Sequence, residues 1–310
     1  MTMAARASAA GGNALAPDDG LAPEVFASES ALIWTRHWVA AGVGEQIPDS
    51  GDLLPATLGH HGAHVLRRDD GTVDAAYNAY QQGSCWYIPA QCGNGKKINC
   101  AYASCGHARD PDTLSPEDGG PTRLMRQFLG LNLHRRVAMP VRWVGPLLLL
   151  AMPRDGLPSV EEQLPEMVQA VQDGAFEGRT YLGRSRMQLA CNWRRATDLV
   201  FATYGAQTSA RTAVVSAERG PDSAVRLYRS APNLALAVTT RHTVVFVVKP
   251  TALDRAEVLV AVYSNPAAHE DGEAVLTGIR SRLTAASLPV LPSAMAEWAL
   301  GVLSTAPSAL

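Results

Sequence analysis

The second half of the chain alternates apolar and polar residues over several short segments, and this pattern predicts β-strands. In V-F-V-V and its polar neighbours, the alternation is typical of an antiparallel sheet with one buried face. The predicted strands cover residues 212–216, 224–228, 234–240, 243–249 and 257–263, and helices are predicted at 270–283 and 293–304.

The first half predicts a helix at 28–37, followed by short strands over residues 38–114 that Gly and Pro turns separate. Short strands with frequent turns are the pattern of a small β-barrel. The turn Asp69-Asp70-Gly71 predicts a hairpin. Ser159 is predicted to be the N-cap of a short helix.

Composition narrows the class of protein. The 310 residues carry a net charge of -2, which gives no electrostatic case for binding nucleic acid. Residues 1–25 are rich in Ala, Gly, Pro and Asp without the apolar run of a signal peptide, and we expect a disordered tail. The apolar run at 144–152 is too short to cross a bilayer and predicts a buried central strand. Five cysteines in such a chain indicate a reducing cytoplasm.

Several motifs occur in an order that resembles one enzyme family. They are I-W-T-R-H-W-V at 33–39, P-D-S-G-D at 48–52, R-R-D-D-G at 67–71, W-V-G at 143–145 and C-N-W-R at 191–194. Together they resemble the Rieske non-haem iron oxygenase α-subunits. The resemblance covers residues 26–205 and weakens toward the C-terminus.

This resemblance implies an α+β chain with two domains. A small Rieske-like β-barrel domain with its entry helix would cover residues 26–122. A helix-grip, START-like antiparallel sheet domain would cover residues 123–310, with one curved sheet around the helix that opens at Asn192. Periodicity alone supports α+β but does not fix the topology.

The resemblance also implies a [2Fe-2S] cluster, which two thiolates and two imidazoles hold in this family. The four ligand positions fall on Tyr80, Gln82, Cys100 and Ala103. A phenol, an amide and a methyl group cannot replace a thiolate and two imidazoles. We therefore expect no cofactor in this chain.

A second metal centre, a 2-His-1-carboxylate iron site, is implied just after the Asn192 helix. Counting from that helix, the two histidine positions fall on Gly205 and Ala210. Asp271 is a possible remnant of the carboxylate ligand, and no histidine occurs in residues 135–241. One carboxylate does not hold Fe(II), so we expect no iron at this position.

Four of the five cysteines lie close together and raise the alternative of a relocated metal site. Thiolates and an imidazole, the ligands that zinc prefers, could come from Cys85, Cys92, Cys100, Cys105 and His107. Their spacing lacks the paired C-x-x-C knuckles of a strong zinc prediction. We expect reduced structural thiols here, with zinc or a disulfide as the alternatives.

Polar residues on the Asn192 helix are the candidates for a ligand site. In a cavity opened by the loss of iron, Asp198, Tyr204 or Arg195 could act as an acid, a base or an anion clamp. The alternative for Arg194 and Arg195 is a solvated helix face, and we favour it for both arginines.

The remaining histidines are expected to serve structure rather than metal binding. His60, His61 and His64 form H-H-x-x-H beside turn glycines and are predicted to be solvated. We expect His37 to pack at the domain junction, whereas His242 could line the cavity of the sheet.

Three functions from different classes are compatible with this sequence. The first, which we favour, is a non-redox partner subunit in a hetero-oligomer with an intact oxygenase or another pathway enzyme. The second is a redox-neutral enzyme, such as a cyclase, dehydratase or hydrolase, that reuses the helix-grip cavity. The third is a protein that binds an apolar or aromatic small molecule there. An autonomous oxygenase would have to hold iron without two histidines.

Overall fold

A computed structural model of the chain describes residues 23–59, 61–77, 137–204, 212–217, 225–266, 270–285, 298–299 and 302. The fold mixes helices with antiparallel sheets. The first element is helix α1, Pro23–Glu29, which continues into a π-helical turn, Ser30–Trp34. This helix is the one predicted at 28–37, although it begins and ends earlier than predicted. None of the described helices has the length and apolar character that crossing a bilayer requires.

Seven short strands form two antiparallel sheets. They are β1 Val39–Val43, β2 Leu53–Leu58, β3 His61–Arg67, β4 Val73–Tyr77, β5 Val137–Met139, β6 Val141–Val144 and β7 Leu147–Leu150. One sheet has the order β1-β7-β6 and the other the order β2-β3-β4-β5. Over the described ranges neither sheet closes into the predicted barrel, and the whole segment between β4 and β5, residues 78–136, lies outside these ranges.

Two local predictions in this half are confirmed. A tight turn with Gly71 at φ +79° joins β3 to β4, as the Asp-Asp-Gly sequence predicts. Ser159 caps helix α2, Val160–Gln163, in a reciprocal capping box with Glu162. Helix α3, Pro165–Gln172, follows directly and has proline at its first position.

The second half of the chain forms a six-stranded antiparallel sheet with two helices. Its elements are β8 Thr180–Leu189, α4 Trp193–Ala202, β9 Thr212–Ala217, β10 Val225–Ser230, β11 Leu234–Val238, β12 His242–Ala252, β13 Arg255–Ser264 and α5 Gly272–Ala285. The strand order is β8-β13-β12-β11-β10-β9. The five predicted strands and the helix predicted at 270–283 are confirmed within a few residues. The helix predicted at 293–304 lies largely outside the described residues.

The central strands β11, β12 and β13 of this sheet are buried on both faces, whereas the sequence predicted one buried face. Phe246 and Val260 pack on the side of α4 and α5. Val247 and Leu259 pack on the other side, against α2, α3 and the β1-β7-β6 sheet. Double burial explains why β13 is apolar almost throughout instead of strictly alternating.

The β1-β7-β6 sheet is an inner layer, because β7 is also buried on both faces. Its leucines alternate between the two hydrophobic clusters, with Leu148 and Leu150 in one and Leu147 and Leu149 in the other. The buried central strand predicted from the apolar run at 144–152 is therefore confirmed. Strand pairing also places residues 137–150 with the N-terminal strands.

Two side-chain amides close the edge of β1 that β7 leaves open. Gln163 accepts the Trp38 N–H at 2.8 Å and donates to the Trp38 carbonyl at 3.0 Å. Asn233 does the same with Ala40, with both bonds at 2.9 Å. These buried amides take the place of a neighbouring strand, because they satisfy the N–H and the carbonyl of each residue. They tie α2 and the turn before β11 to β1.

Two further features of the fold differ from expectation. Strand β8 was not predicted, because its sequence Y-L-G-R-S-R-M-Q-L mixes charged and apolar residues, as suits a half-exposed edge strand. His64 was predicted to be solvated, but it is only 3% exposed in β3. The pairing of β3 with both β2 and β4 buries it, and this pairing is not visible in the local sequence.

Candidate functional site

Helix α4 carries the residues that the sequence singled out, and it begins where predicted. The Asn192 side chain accepts the Arg195 N–H at 2.9 Å and so caps the helix. Apolar residues of α4 pack against the six-stranded sheet, among them Ala196, Val200 and Phe201. The same helix also buries three polar residues, Arg194, Thr197 and Asp198. Burial of charged side chains on one helix requires partners from other elements.

The partner of Asp198 is an arginine that sequence reasoning did not consider. Arg229 of β10 donates from Nη2 to Asp198 Oδ1 at 2.8 Å, and the Arg229 side chain is fully buried. Its guanidinium also lies over the Phe201 ring, 4.3 Å from the ring centroid. Burial lowers the pKa of Arg229, and the ion pair with Asp198 opposes that shift. The pair therefore links α4 to the sheet across the buried face.

Tyr204, the second candidate, lies at the end of α4 in the hydrophobic core. It is 3% exposed, and its ring meets Phe246 of β12 edge-to-face with centroids 6.1 Å apart. The guanidinium of Arg282 on α5 lies 5.5 Å from the Tyr204 ring centroid. Tyr204 thus packs between the sheet and both helices.

A second buried ion pair anchors the start of α4 to the N-terminal helix. Arg194 Nη1 lies 2.9 Å from Glu29 Oε1, and Trp193 Nε1 donates to Glu29 Oε2 at 2.9 Å. The Trp193 ring meets Trp34 edge-to-face at 5.1 Å. The prediction of a solvated Arg194 is therefore wrong, because a carboxylate 165 positions earlier faces it. The same prediction is confirmed for Arg195, which is exposed.

Because the Glu29 carboxyl is buried, we expect the stability of the protein to depend on pH. Burial raises the pKa of this carboxyl above its usual 4.5, and Arg194 and Trp193 oppose the shift only in part. As pH rises, the Glu29 carboxyl loses its proton at a lower pH in the unfolded chain than in the folded one. The protonated carboxyl therefore contributes its full share to stability below pH 4.5. This contribution declines as pH rises through the folded pKa, by about 1.4 kcal/mol per unit of pKa difference. Urea unfolding at a series of pH values above 4.5 measures this decline.

The matched variant for this prediction is Glu29→Gln, which cannot ionise but keeps an oxygen that accepts the Trp193 N–H. Subtracting its stability curve from that of the wild type isolates the titration of Glu29. A difference that stays flat from pH 4.5 upward would show that burial does not shift this group.

The remaining candidates lie at the periphery or outside the described residues. Asp271 is exposed at the start of α5, where its Oδ1 accepts the Glu273 N–H at 3.0 Å. His242 contacts the Glu270 carboxylate where β12 begins. His37 Nδ1 donates to the Ile33 carbonyl at 2.7 Å. The positions outside are Tyr80, Gln82, Cys85, Cys92, Cys100, Ala103, Cys105, His107, Gly205 and Ala210.

Over the described ranges, the carboxylate on the α4 face already has a cationic partner. Asp198 is the carboxylate on this face, and the Arg229 guanidinium already holds it. A buried cation beside that carboxylate disfavours a metal ion at the same place. In that part of the chain, no three side chains of His, Cys, Asp or Glu come together as metal ligands. The ion pair of Asp198 with Arg229 can hold helix α4 against the sheet.

Comparison with curated proteins finds relatives of one kind. No protein-family model matches the chain. The large oxygenase component of salicylate 5-hydroxylase from Ralstonia is 23% identical over 172 residues, which are 53% of this chain and 40% of that protein. Choline monooxygenase from Amaranthus tricolor is 24% identical over 179 residues, 56% of this chain and 39% of that protein. The large oxygenase component of the naphthalene 1,2-dioxygenase system from Ralstonia is 31% identical over 92 residues, 30% of this chain and 21% of that protein. The match thus spans no more than two fifths of the length of each of these relatives.

Comparison with solved structures shows a similar fold in a Rieske monooxygenase. The quaternary ammonium Rieske monooxygenase CntA, in complex with gamma-butyrobetaine, superposes with a TM-score of 0.57 at 14% identity. The match covers 93% of this chain and 84% of that one. A second structure of CntA, with an inhibitor, gives a TM-score of 0.56 over 88% of this chain and 83% of that one.

These comparisons correct the prediction of a chain without a cofactor. The relatives reported above are a monooxygenase and large oxygenase components, and the two matching structures are of a Rieske monooxygenase. A Rieske centre is a [2Fe-2S] cluster, so proteins of this kind bind cofactors. The prediction counted ligands in one alignment of the motifs, and loss of the ligands is not demonstrated. The prediction of no cofactor had one alternative, a zinc ion on Cys85, Cys92, Cys100, Cys105 and His107. We set this alternative aside together with the prediction.

Motif order, sequence similarity and fold agree, although identity is low throughout. The resemblance drawn from the sequence motifs is confirmed: this chain is a divergent relative of the Rieske oxygenase large subunits.

Proposed function

We propose that the chain is an oxygenase-like subunit that joins an assembly with an intact Rieske oxygenase large subunit. In this proposal the neighbouring subunit carries out the oxygenation, and this chain does not work as an oxygenase alone. Several relatives are named as large oxygenase components of dioxygenase systems, that is, as parts of systems with several proteins. The chain covers only part of their length, so their activities are not transferred to it.

The observation that carries the proposal is the ion pair of Asp198 with Arg229. An active centre between helix and sheet needs an open, polar cavity with ligands that converge on one point. Here the carboxylate of α4 is engaged by a fully buried guanidinium that lies over the Phe201 ring. Tyr204, at the end of the helix, packs against Phe246. This face serves packing, which favours a subunit that contributes surface and shape to an assembly.

The same observation gives less support to a redox-neutral enzyme or a small-molecule binder. Both alternatives need Asp198 or Tyr204 to reach a ligand in the cavity. The two residues are 8% and 3% exposed, and each has partners within the core. The third candidate, Arg195, is exposed to solvent.

We also infer a helix-grip arrangement in the C-terminal half, similar to START-like domains. The support is that α4 and α5 both pack on one face of the six-stranded antiparallel sheet. The division into a Rieske-like domain at 26–122 and a second domain at 123–310 stays a prediction. Strand pairing of residues 137–150 with β1 and β4 favours a boundary after these strands.

Co-expression with an intact Rieske oxygenase large subunit from the same genome tests the proposal. Native mass spectrometry of the purified material is expected to show an oligomer that contains both chains in a fixed ratio. The proposal is overturned if the two chains never associate. It is also overturned if this chain alone, supplied with iron and a reductase, oxidises a substrate.

A further inference from the structure

Four buried side chains meet where the N-terminal helix contacts the start of α4. They are Glu29, Trp34, Trp193 and Arg194, which we call the Glu29 cluster. Each of the four residues is 2% exposed or less. Because burial removes their polar atoms from bulk water, each donor and acceptor in the cluster needs a partner inside the protein.

The π-helical turn after α1 brings Trp34 to the same side of the helix as Glu29. In such a turn the hydrogen bonds join residues five apart, as the bond of 3.1 Å from the Thr35 N–H to the Ser30 carbonyl does. Glu29 and Trp34 are also five residues apart, so they lie one turn from each other. Trp193 completes the cluster, because its ring contacts Trp34 and its Nε1 donates to Glu29.

Three of these side chains have buried hydrogen-bonding atoms that remain unused. Within the described part of the chain, Trp34 Nε1 and both Nε and Nη1 of Arg194 are donors without an acceptor, and Glu29 Oε1 is an acceptor without a donor. Arg194 Nη1 and Glu29 Oε1 lie 2.9 Å apart, but their orientation makes an ion pair and not a hydrogen bond. Unsatisfied buried polar atoms are costly, and native proteins rarely keep several of them together.

We infer that the Glu29 cluster binds ordered water, which accepts hydrogen bonds from Trp34 and Arg194 and donates one to Glu29. The carboxylate and the guanidinium balance each other in charge, so a neutral ligand fits better than an ion. This ligand must both donate and accept hydrogen bonds, as water does. Buried waters in proteins bond in this way to polar groups that have no other partner.

Ordered water in the cluster also has a consequence for the titration of Glu29. Burial raises the pKa of this carboxyl, and a water molecule beside it can take up and return the proton. Glu29 therefore titrates while α1 stays in contact with α4. The inference does not depend on the proposed assembly.

ROESY spectra recorded between water and the isotope-labelled wild-type protein test the inference. They distinguish contact with a bound water from proton exchange with water, because the two give cross-peaks of opposite sign. The Trp34 indole N–H is expected to show the contact cross-peak. The matched control is Trp38, whose buried indole N–H already donates to the Pro158 carbonyl at 2.8 Å and is expected to show no such peak.

Trp34→Phe identifies the Trp34 signal by its loss. If this variant does not fold, the NOE to the Trp193 ring identifies the signal instead, because the two ring centroids lie 5.1 Å apart. Absence of the contact cross-peak at Trp34 overturns the inference, and so does a peak of equal size at Trp38. An exchange cross-peak alone at Trp34 also overturns it, because the indole would then meet bulk solvent.

Discussion

Replacing Asp198 by alanine is expected to lower the free energy of unfolding by about 3–5 kcal/mol, the usual cost of removing one member of a buried ion pair. The substitution takes away the carboxylate that Arg229 contacts at 2.8 Å, while the fully buried guanidinium stays where it is. Stacking on Phe201 does not replace the lost charge, because the cation–π contact is already present in the wild type and an aromatic ring carries no net negative charge. Urea-induced unfolding of the purified variant measures the loss.

Two variants control for this result. Asp254→Ala removes an exposed carboxylate that lies 3.7 Å from Arg255, and its effect is expected to stay within about 1 kcal/mol. The double variant Asp198→Ala with Arg229→Met removes both charges and is expected to regain part of the loss, because no buried cation remains. Equal losses for Asp198→Ala and Asp254→Ala would contradict the ion pair.

Arg194→Ala is expected to cost about 3–5 kcal/mol of unfolding free energy, whereas Arg195→Ala is expected to change it by about 0.5 kcal/mol or less. The two arginines are neighbours in the sequence and on the same helix. Arg194 lies 2.9 Å from the buried Glu29 carboxylate, and Arg195 is exposed. Parallel urea titrations of both variants make the comparison.

The loss in Arg194→Ala should also depend on pH. Without the guanidinium, the pKa of Glu29 rises further, so protonation at low pH relieves the buried charge. We expect the difference between Arg194→Ala and wild type to shrink as pH falls toward 4.5. Similar losses for the two alanine variants at neutral pH would mean that burial does not distinguish these arginines.

Much of the fold could be predicted from the sequence because its signals are local. Asn192 and Ser159 cap their helices through hydrogen bonds that span three residues. The hairpin at Gly71 needs only a residue that accepts a positive φ. The strands from β9 to β13 follow one another in the chain and in the sheet, so their apolar runs were enough to find them.

The features that were missed depend on contacts between residues far apart in sequence. Nothing near Arg194 indicates that Glu29 will face it, and nothing near Asp198 indicates Arg229. His64 is buried because strands pair on both sides of it. Helix propensity and periodicity describe neighbours along the chain, so they cannot distinguish a buried arginine from an exposed one beside it.

The candidate site, too, could be predicted from the sequence only in part. The sequence identified α4 as the helix that carries polar residues to the sheet, and Asp198 and Tyr204 do lie there. Their roles differ from expectation, since both are engaged in packing. The resemblance provided the positions of the metal ligands, but counting donors in a motif does not establish whether a cluster binds.

The two amides on the open edge of β1 have a consequence for the alignment of this strand. Trp38 and Ala40 are two residues apart and meet Gln163 and Asn233 on the same edge. If β1 slipped by one residue, both amides would lose their backbone groups at once, and the side chains would exchange faces. The spacing of two therefore fixes the register of β1 from a helix and a turn that are more than a hundred residues away in sequence, and it leaves no room for a foreign strand to add there.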